Sequence, residues 1–534
     1  MKITTARGIR LLIVLAVFSA AELNAQTTFV RTYNKGDMGY TVREVNGNSY
    51  VVAGGTDYYY NFHWFIQSAL ATTNIHLFKT DVSGVLQWER VISKLNTRMI
   101  ARWMEPTFDG GYILTGSSNT DKVWPPDSND VVLVKTDGTG MVSWCRIFDS
   151  GKDDVGFCVQ QTADSGYIIS GFHDAVPMSL SGNTYILLIK TNSLGIVQWE
   201  KKYQFAIRDL DTFEPFTYVA KQTSDGGYVV TGGITASHPS DVNVLRTDAF
   251  GNVLWAKTYE QDNTIFRISL GLDIIETSTG DFVIAGSMDK DQPLHLNYPY
   301  FLKISSTGVP IKQKFYETVP DLAFQSGFSS VEQTPDGGFF FTGMGGYSNF
   351  GSQAQLLKTD ANLDVQWTRV YTADGLSTVG SMSGRHTTDG GYIFAGKRNM
   401  AGSILMKTNS LGLVDCKVPN TLNEYTPSLV VSNWTPSIIS GIVSSSPLLS
   451  VSTPMVDTSI ACPVSIPTLP VELDYFSASA MPDRKVSVEW ITESEINNAY
   501  FIIEKSLDNM SFSDAGKVTG AGNSTSSQTY SFSD

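Results

Sequence analysis

One two-part phrase recurs seven times between Asn46 and Cys416, at a period of about 55 residues. Its first part is a turn followed by an apolar run, as in Asp109-Gly110-Gly111-Tyr112-Ile113-Leu114 and Asp225-Gly226-Gly227-Tyr228-Val229-Val230. Its second part is Lys79-Thr80-Asp81, then Gly84, then Trp88, in the first copy. Asp and Gly in tandem suit tight hairpins, because Gly accepts positive φ and Asp bonds its own backbone. Each copy therefore reads as four short strands. A repeat of this length in strand language restricts the chain to a repeat architecture. Closing the repeats into a ring removes exposed sheet edges.

The expectation is an all-β chain: a seven-bladed β-propeller followed by a partial fibronectin III/immunoglobulin-like β-sandwich. The turn aromatics (Tyr50, Tyr112, Tyr167, Tyr228, Phe282, Phe339, Tyr392) keep one register in all copies, as do the basic residues from Lys79 to Lys407. The Trp column holds Trp88, Trp144, Trp199, Trp255 and Trp367, with Lys312 in the fifth copy and Cys416 in the seventh. The Gly column loses its Gly in the sixth copy, at Leu363. Trp in strand register points to packing between blades rather than to ligand contact. Asp109, Asp164, Asp225, Asp336 and Asp389 recur at the same turn, so a turn-forming role is expected rather than acid–base chemistry. Phe29-Val30-Arg31-Thr32-Tyr33 resembles Trp255-Ala256-Lys257-Thr258-Tyr259, an outer strand without its own repeat. It is expected to pair into the seventh blade near residues 403–416.

The chain has 534 residues, more than one core usually holds. Residues 1–25 read as an export leader: Lys2, Arg7 and Arg10, an apolar run from Leu11 to Ala21, then Leu23-Asn24-Ala25 at the cut. The propeller is placed at 26–420, a Ser/Thr/Pro-rich linker at 421–468, and the sandwich module, truncated, at 469–534. The formal net charge is −14, and the leader carries three basic residues and one acidic one, so the mature chain is two charges more negative. Such a surface repels phosphate backbones and disfavours nucleic acid. No run in the mature chain is long and apolar enough to span a membrane as a helix. Cys145, Cys158, Cys416 and Cys462 permit disulfides after export, Cys145 with Cys158 among them, although spacing proves no pairing.

The tail Leu469-Pro470-Val471-Glu472-Leu473, followed by Trp490-Ile491-Thr492-Glu493-Ser494-Glu495 through Lys505-Ser506, resembles a fibronectin-like module. That module precedes the C-terminal sorting domain in large secreted proteins of Bacteroidota, which leave the cell by type IX secretion. The resemblance implies a secreted or cell-surface location. The Asp-x-x-Gly-x-x-x-Trp phrase is also similar to the tryptophan-docking repeat of quinoprotein dehydrogenases. That family has a Thr before the Gly, a spacing one residue longer, and adjacent cysteines. The similarity is read as shared blade geometry, and no cofactor is expected.

No nucleophile elbow, zinc-helix motif, P-loop or dinucleotide fingerprint occurs. Binding residues usually sit on variable loops above a rigid scaffold. The loop candidates are Tyr58, Tyr59, Tyr60 and Trp64 in the first copy, Trp124 in the second, Tyr298 in the fifth and Tyr347 in the sixth. Aromatics there suit stacking on sugar rings or peptide. His63, His173, His238 and His295 are weak metal candidates on the same side. The expectation is a non-catalytic binding, adhesion or scaffold protein whose partner is a glycan or an extracellular protein. The alternative is a carbohydrate-active enzyme, a metal-assisted polysaccharide lyase or a hydrolase, using the same loop face.

Overall fold

The computed structural model describes residues 26–33, 38–56, 74–94, 97–120, 129–173, 185–204, 214–235, 242–261, 270–289, 297–317, 327–345, 353–371, 379–398, 402–414, 423–425, 429–433, 437–439, 443–445, 450–452, 458–465, 471–481, 485–505, 513–524 and 526–533. They fall into two compact units, one reaching from Thr28 to Val464 and one holding Ser465–Asp534.

In the larger unit each repeat folds into a four-stranded antiparallel sheet, and the sheets are set in a propeller-like arrangement. The third repeat is typical. Asp154–Gln161 pairs with Tyr167–His173, which pairs with Tyr185–Thr191, which pairs with Val197–Gln204. The Asp-Gly-Gly turn joins the first two strands, and the Asp-x-x-Gly turn joins the last two. Both hairpins therefore lie at one end of the sheet, and the longer connections lie at the other. In every repeat the first strand carries a bulge at one place, between Gly39 and Thr41 in the first and between Ser381 and Ser383 in the last. The first strands of successive repeats touch, and that of the seventh touches that of the first.

The seventh sheet takes its outer strand from the start of the chain. Thr28–Tyr33 pairs antiparallel with Gly402–Thr408, Phe29 opposite Lys407 and Tyr33 opposite Ser403. The orphan strand phrase at residues 29–33 thus completes the last repeat.

The Trp and Gly columns prove to be one contact. In the first, second, third and sixth sheets the outer-strand Trp lies over the turn Gly of the next, whereas Lys257 and Tyr259 meet Gly308. A Cβ on Gly140 would stand 2.7 Å from the Trp88 ring, and one on Gly195 2.7 Å from the Trp144 ring. Phe29 takes the Trp place of the seventh sheet and meets Gly84, so the succession returns to the first sheet. Arg90, Arg146, Lys257 and Arg369 stack on the Trp two residues before them. The Tyr33, Tyr203 and Tyr259 hydroxyls donate to the carbonyls of Gly84, Gly251 and Gly308 at 2.6–2.8 Å. Trp88, Trp144, Trp199, Trp255 and Trp367 are half-buried rather than sealed, each with its ring against the turn aromatic of the next sheet or its neighbour.

A second contact runs beside it. A Gln or Glu side chain on the first strand of one sheet accepts a backbone N–H from the preceding sheet's turn. The pairs are Gln161 with Phe108, Gln222 with Ala163, Glu276 with Ser224 and Gln333 with Ser278. Glu44 with Thr388, at 2.8 Å, joins the seventh repeat to the first. Between the sixth and seventh sheets the turn residue is Pro335, which has no N–H, and the acceptor is replaced by His386.

Two expectations need correction. Cys145 and Cys158 are both buried free thiols. Cys145 sits near its neighbour's carbonyl, at Arg146, while Cys158 points to the Ala220 carbonyl of the next sheet. Neighbouring repeats do not make neighbouring side chains, because the two residues occupy outer and inner strands. Cys416 lies outside the described residues, and only the backbone of Cys462 is described.

The described parts of the segment 421–468 pair with the repeats rather than standing off as a spacer. Its short strands each add a fifth, antiparallel strand to a sheet. Asn423–Tyr425 joins the fifth sheet, Leu429–Asn433 the fourth, Ser437–Ile439 the third, Val443–Ser445 the second and Ser450–Ser452 the first. Thr458–Ser465 then pairs with the closing strand of the seventh. The chain runs back around its own circumference as a belt. The apolar patches Leu429-Val430-Val431 and Ile438-Ile439, which in the sequence suggest that parts of this segment pack on a neighbour, fall in two of these strands, while the three-residue strands Asn423–Tyr425, Val443–Ser445 and Ser450–Ser452 left little trace.

In the smaller unit Val486–Lys505 is central. Its first half pairs with Val471–Ala480 and Gln528–Ser533, and its second half with Ser513–Ser524. Trp490, at 0% exposure, packs with Phe501, Ile503, Tyr530 and Phe532.

Candidate functional site

The repeated polar residues hold the fold. Lys135, Lys190, Arg246, Lys358 and Lys407 are buried and reach back to Asp109, Asp164, Asp225, Asp336 and Asp389 of the same sheet, at 2.6–2.9 Å. Thr107 and its counterparts donate to the same carboxylates, and Gly111 and its counterparts donate backbone N–H groups. Partial burial would raise the Asp109 carboxyl, yet the hydrogen bonds from Lys135, Thr107 and Gly111 hold it low, at about 2. Asp164, Asp225, Asp336 and Asp389 are lowered in the same way. A carboxylate so engaged is a poor proton acceptor at neutral pH.

The inward side of the first strands is more distinctive. One position before the Asp-Gly-Gly turn carries Arg43, Glu105, Gln160, Lys221, Ile275, Glu332 and Arg385 in sheet order. Arg43 forks onto Glu105 through Nε and Nη2. Lys221 of the fourth sheet approaches Glu105 of the second at 3.8 Å, although these sheets are not neighbours. Trp103 lies between them, with Arg43 at 5.5 Å and Lys221 Nζ at 4.4 Å from its ring centroid, and its Nε1 donates to Glu105. Burial would raise the Glu105 carboxyl, but Arg43, with Lys221 behind it, holds it near 2. The middle of the larger unit is therefore crossed by a packed Arg–Trp–Lys stack on one carboxylate.

Trp103 was not singled out from the sequence. In its column the other repeats carry Thr41, Cys158, Val219, Asp273, Ser330 and Ser383, all much smaller. A lone large residue in a column of small ones was the available signal.

Of the loop-side candidates, Tyr58, Tyr59, Tyr60, Trp64, Trp124 and Tyr347 lie outside the described residues, as do His63, His238 and His295. Tyr298 is placed in the strand Asn297–Ile304, 5% exposed, with its ring 6.0 Å from Phe315. It is a core residue rather than a loop residue, because the strand begins at Asn297 and Tyr298 pairs opposite Met288. His173 ends the strand Tyr167–His173 and is also enclosed. Its Nδ1 meets Asp154 at 2.6 Å and Ser150 at 3.1 Å, and its Nε2 faces Lys202 at 3.4 Å. Both nitrogens are used, which leaves no ligand position. Among the described residues no group of three or more His, Cys, Asp or Glu side chains is placed to hold a metal. Nor, among them, is any helix long and apolar enough to cross a membrane.

Beside His173, at the loop end of the second and third sheets, Asp130, Asp149, Asp153 and Asp154 crowd together. Burial, then the charges of Asp149 and Asp154, raise the Asp130 carboxyl to about 7.

No family model matches the chain, and no curated protein does either. Two solved structures are similar in part. One is a mannose phosphorylase from Leishmania mexicana in complex with phosphate ion, at 12% identity and TM-score 0.28, covering 48% of this chain and 81% of that one. The other is a member of the duf4221 family from Bacteroides vulgatus, at 9% identity and TM-score 0.29, covering 75% of this chain and 97% of that one. Likeness at this level carries no argument about activity.

Proposed function

We propose that this is a secreted or cell-surface binding or scaffold protein, built as a closed seven-bladed β-propeller with a fibronectin-like module behind it. The fibronectin-like tail and the leader at residues 1–25 support an exported protein of the Bacteroidota type. The ligand face is the loop end of the sheets, and the ligand is a glycan or an extracellular protein. One observation carries the choice of face. The hairpin end repeats the same short turns and spends its carboxylates on Lys–Asp pairs, whereas the connections at the other end differ in length from copy to copy. They run from residues 56–74 in the first repeat down to 399–401 in the seventh, and they carry Tyr59, Trp64 and Trp124.

The test is a glycan array, with a matched panel of extracellular-matrix proteins, probed with the chain from Gln26 onward. Replacing Tyr59, Trp64 and Trp124 by Ala is expected to lower affinity for whatever binds by at least about tenfold, a loss of about 1.4 kcal/mol, with the melting curve unchanged. Replacing Asp225 or Asp336 is expected to lower the melting temperature and leave affinity alone. Affinity that follows the Asp turns would place the ligand on the opposite face.

A further inference from the structure

Two arginines share one column of the first strands, and only one has its fork filled. Arg43 of the first sheet spends Nη1 on the carbonyl of Val42, at 2.7 Å, and on the Ser383 hydroxyl of the preceding sheet, at 3.2 Å. Its Nε and Nη2 then donate to the two oxygens of Glu105 on the following sheet, at 2.7 and 2.5 Å. Arg385 of the seventh sheet is anchored in the same way. Its Nη1 donates to the carbonyl of Gly384, at 2.7 Å, and to the Ser330 hydroxyl of the preceding sheet. On the sheet that follows, the place of Glu105 is taken by Arg43, a second cation. Glu332 of the sixth sheet accepts the His386 backbone N–H, at 2.7 Å. Among the described residues, Nε and Nη2 of Arg385 have no hydrogen-bond acceptor and no carboxylate at ion-pair distance. Arg385 is half-buried, and burial, then the like charge of Arg43, lower its guanidinium from the ordinary value. An enclosed cation without a counter-ion is costly.

We propose that the Nε–Nη2 edge of Arg385 is a carboxylate-binding site, which takes a small organic acid in the way that Arg43 takes Glu105. A guanidinium fork and a carboxylate match as two parallel hydrogen bonds, which selects a planar oxyanion. The surroundings favour one negative charge over two. Glu332, Asp273 and Glu105 all act on Arg385 through their charge, and they weigh against a dianion such as phosphate. Arg385 stands in the strand Val379–His386, just before the turn that begins at Thr387, so the site lies toward the hairpin end of the sheets. It is independent of the loop-face reading.

The experiment uses the whole mature chain with carbon-13 acetate as the probe, and its line broadening by the protein is followed by NMR at constant ionic strength. The broadening is expected to saturate as acetate is raised, and to be reversed by formate but not by chloride. Arg385→Lys keeps the charge and removes the fork, and it is expected to weaken acetate binding by at least about tenfold. Crystals of the unaltered chain grown with and without acetate supply a second measurement, which stands even if that variant does not fold. Difference density is expected on Nε and Nη2 of Arg385. Each of the following results would overturn the proposal. Equal binding by Arg385→Lys, or density elsewhere, places the acetate at another group. Reversal by chloride as readily as by formate reduces the effect to charge. Stronger displacement by inorganic phosphate makes the site one for dianions. Broadening that appears only in Glu332→Gln means that Glu332 already fills the fork, and no saturable broadening in either chain means that there is no site.

Discussion

Lys312 and Leu363 depart from their columns together, and they face each other across one junction. Where the fifth sheet offers Lys312 instead of Trp, the next turn carries Leu363 in place of Gly. Leu363 then holds the left-handed φ of 62° with its side chain buried, and Lys312 Nζ donates to the Asn362 carbonyl and pairs with Asp364. Lys312→Trp alone is expected to destabilise by about 1–3 kcal/mol through overpacking against Leu363. Adding Leu363→Gly is expected to recover most of that loss, a coupling that a double-mutant cycle in denaturant measures. Trp144→Ala, at a half-buried ring, is expected to cost about 2–3 kcal/mol, less than the 3–5 of a fully enclosed aromatic. The lowered Asp carboxyls of the turns stabilise the fold above their unfolded pKa of about 4, and that contribution is lost as pH falls toward about 2. Asp130 has the opposite sign. Its folded pKa is raised, so it weighs against folding increasingly from about pH 4 up to about 7. Asp130→Asn is therefore expected to raise the melting temperature at pH 8 and to change it little at pH 4. The repeat columns made the Trp, Gly and Asp roles legible. The partner of each was not, because a column shows that a residue recurs and not which neighbouring column it touches.

At the scale of elements, the belt separates what pattern reveals from what it hides. The strands of the repeats alternate or run apolar because side chains on both faces are buried between sheets. The belt strands pair along backbone edges, and the segment, rich in Ser, Thr and Pro, reads in the sequence as a linker with a few apolar patches. Its function as edge cover leads to a prediction. A chain from Gln26 to Asn420, lacking the belt, is expected to associate in a concentration-dependent way, whereas one from Gln26 to Ile466 is expected to stay monomeric by light scattering. Equal behaviour of the two would mean that the outer edges need no cover. The loop candidates fared differently from the hairpins for a physical reason. Turn chemistry is local, whereas the end of a strand such as Asn297–Ile304 is set by tertiary pairing, which drew Tyr298 into the core.

In the larger unit the start and the end of the repeats meet in one sheet. The closing strand Thr28–Tyr33 lies between Gly402–Thr408 and Thr458–Ser465, so residues from the start, the end of the repeats and the end of the belt share one sheet. The Phe29 and Arg31 side chains also cover Gly84, which carries the Trp–Gly succession across the same junction. That the repeats form four-stranded antiparallel sheets in a propeller-like arrangement was legible in the sequence; that a belt of short strands extends them, and that Trp103 stacks with Arg43 and Lys221, was not. The most direct measurement is a cross-link across the closure. Val30 stands opposite Met406 in the ladder. In the full chain carrying Val30→Cys and Met406→Cys, mild oxidation is expected to join positions 30 and 406 in a single species, identified by peptide mapping, with the melting temperature raised. A pair at positions 30 and 404, one register step away, is expected not to join. No link at 30–406, or equal linking at both, would show that the first strand does not close the ring.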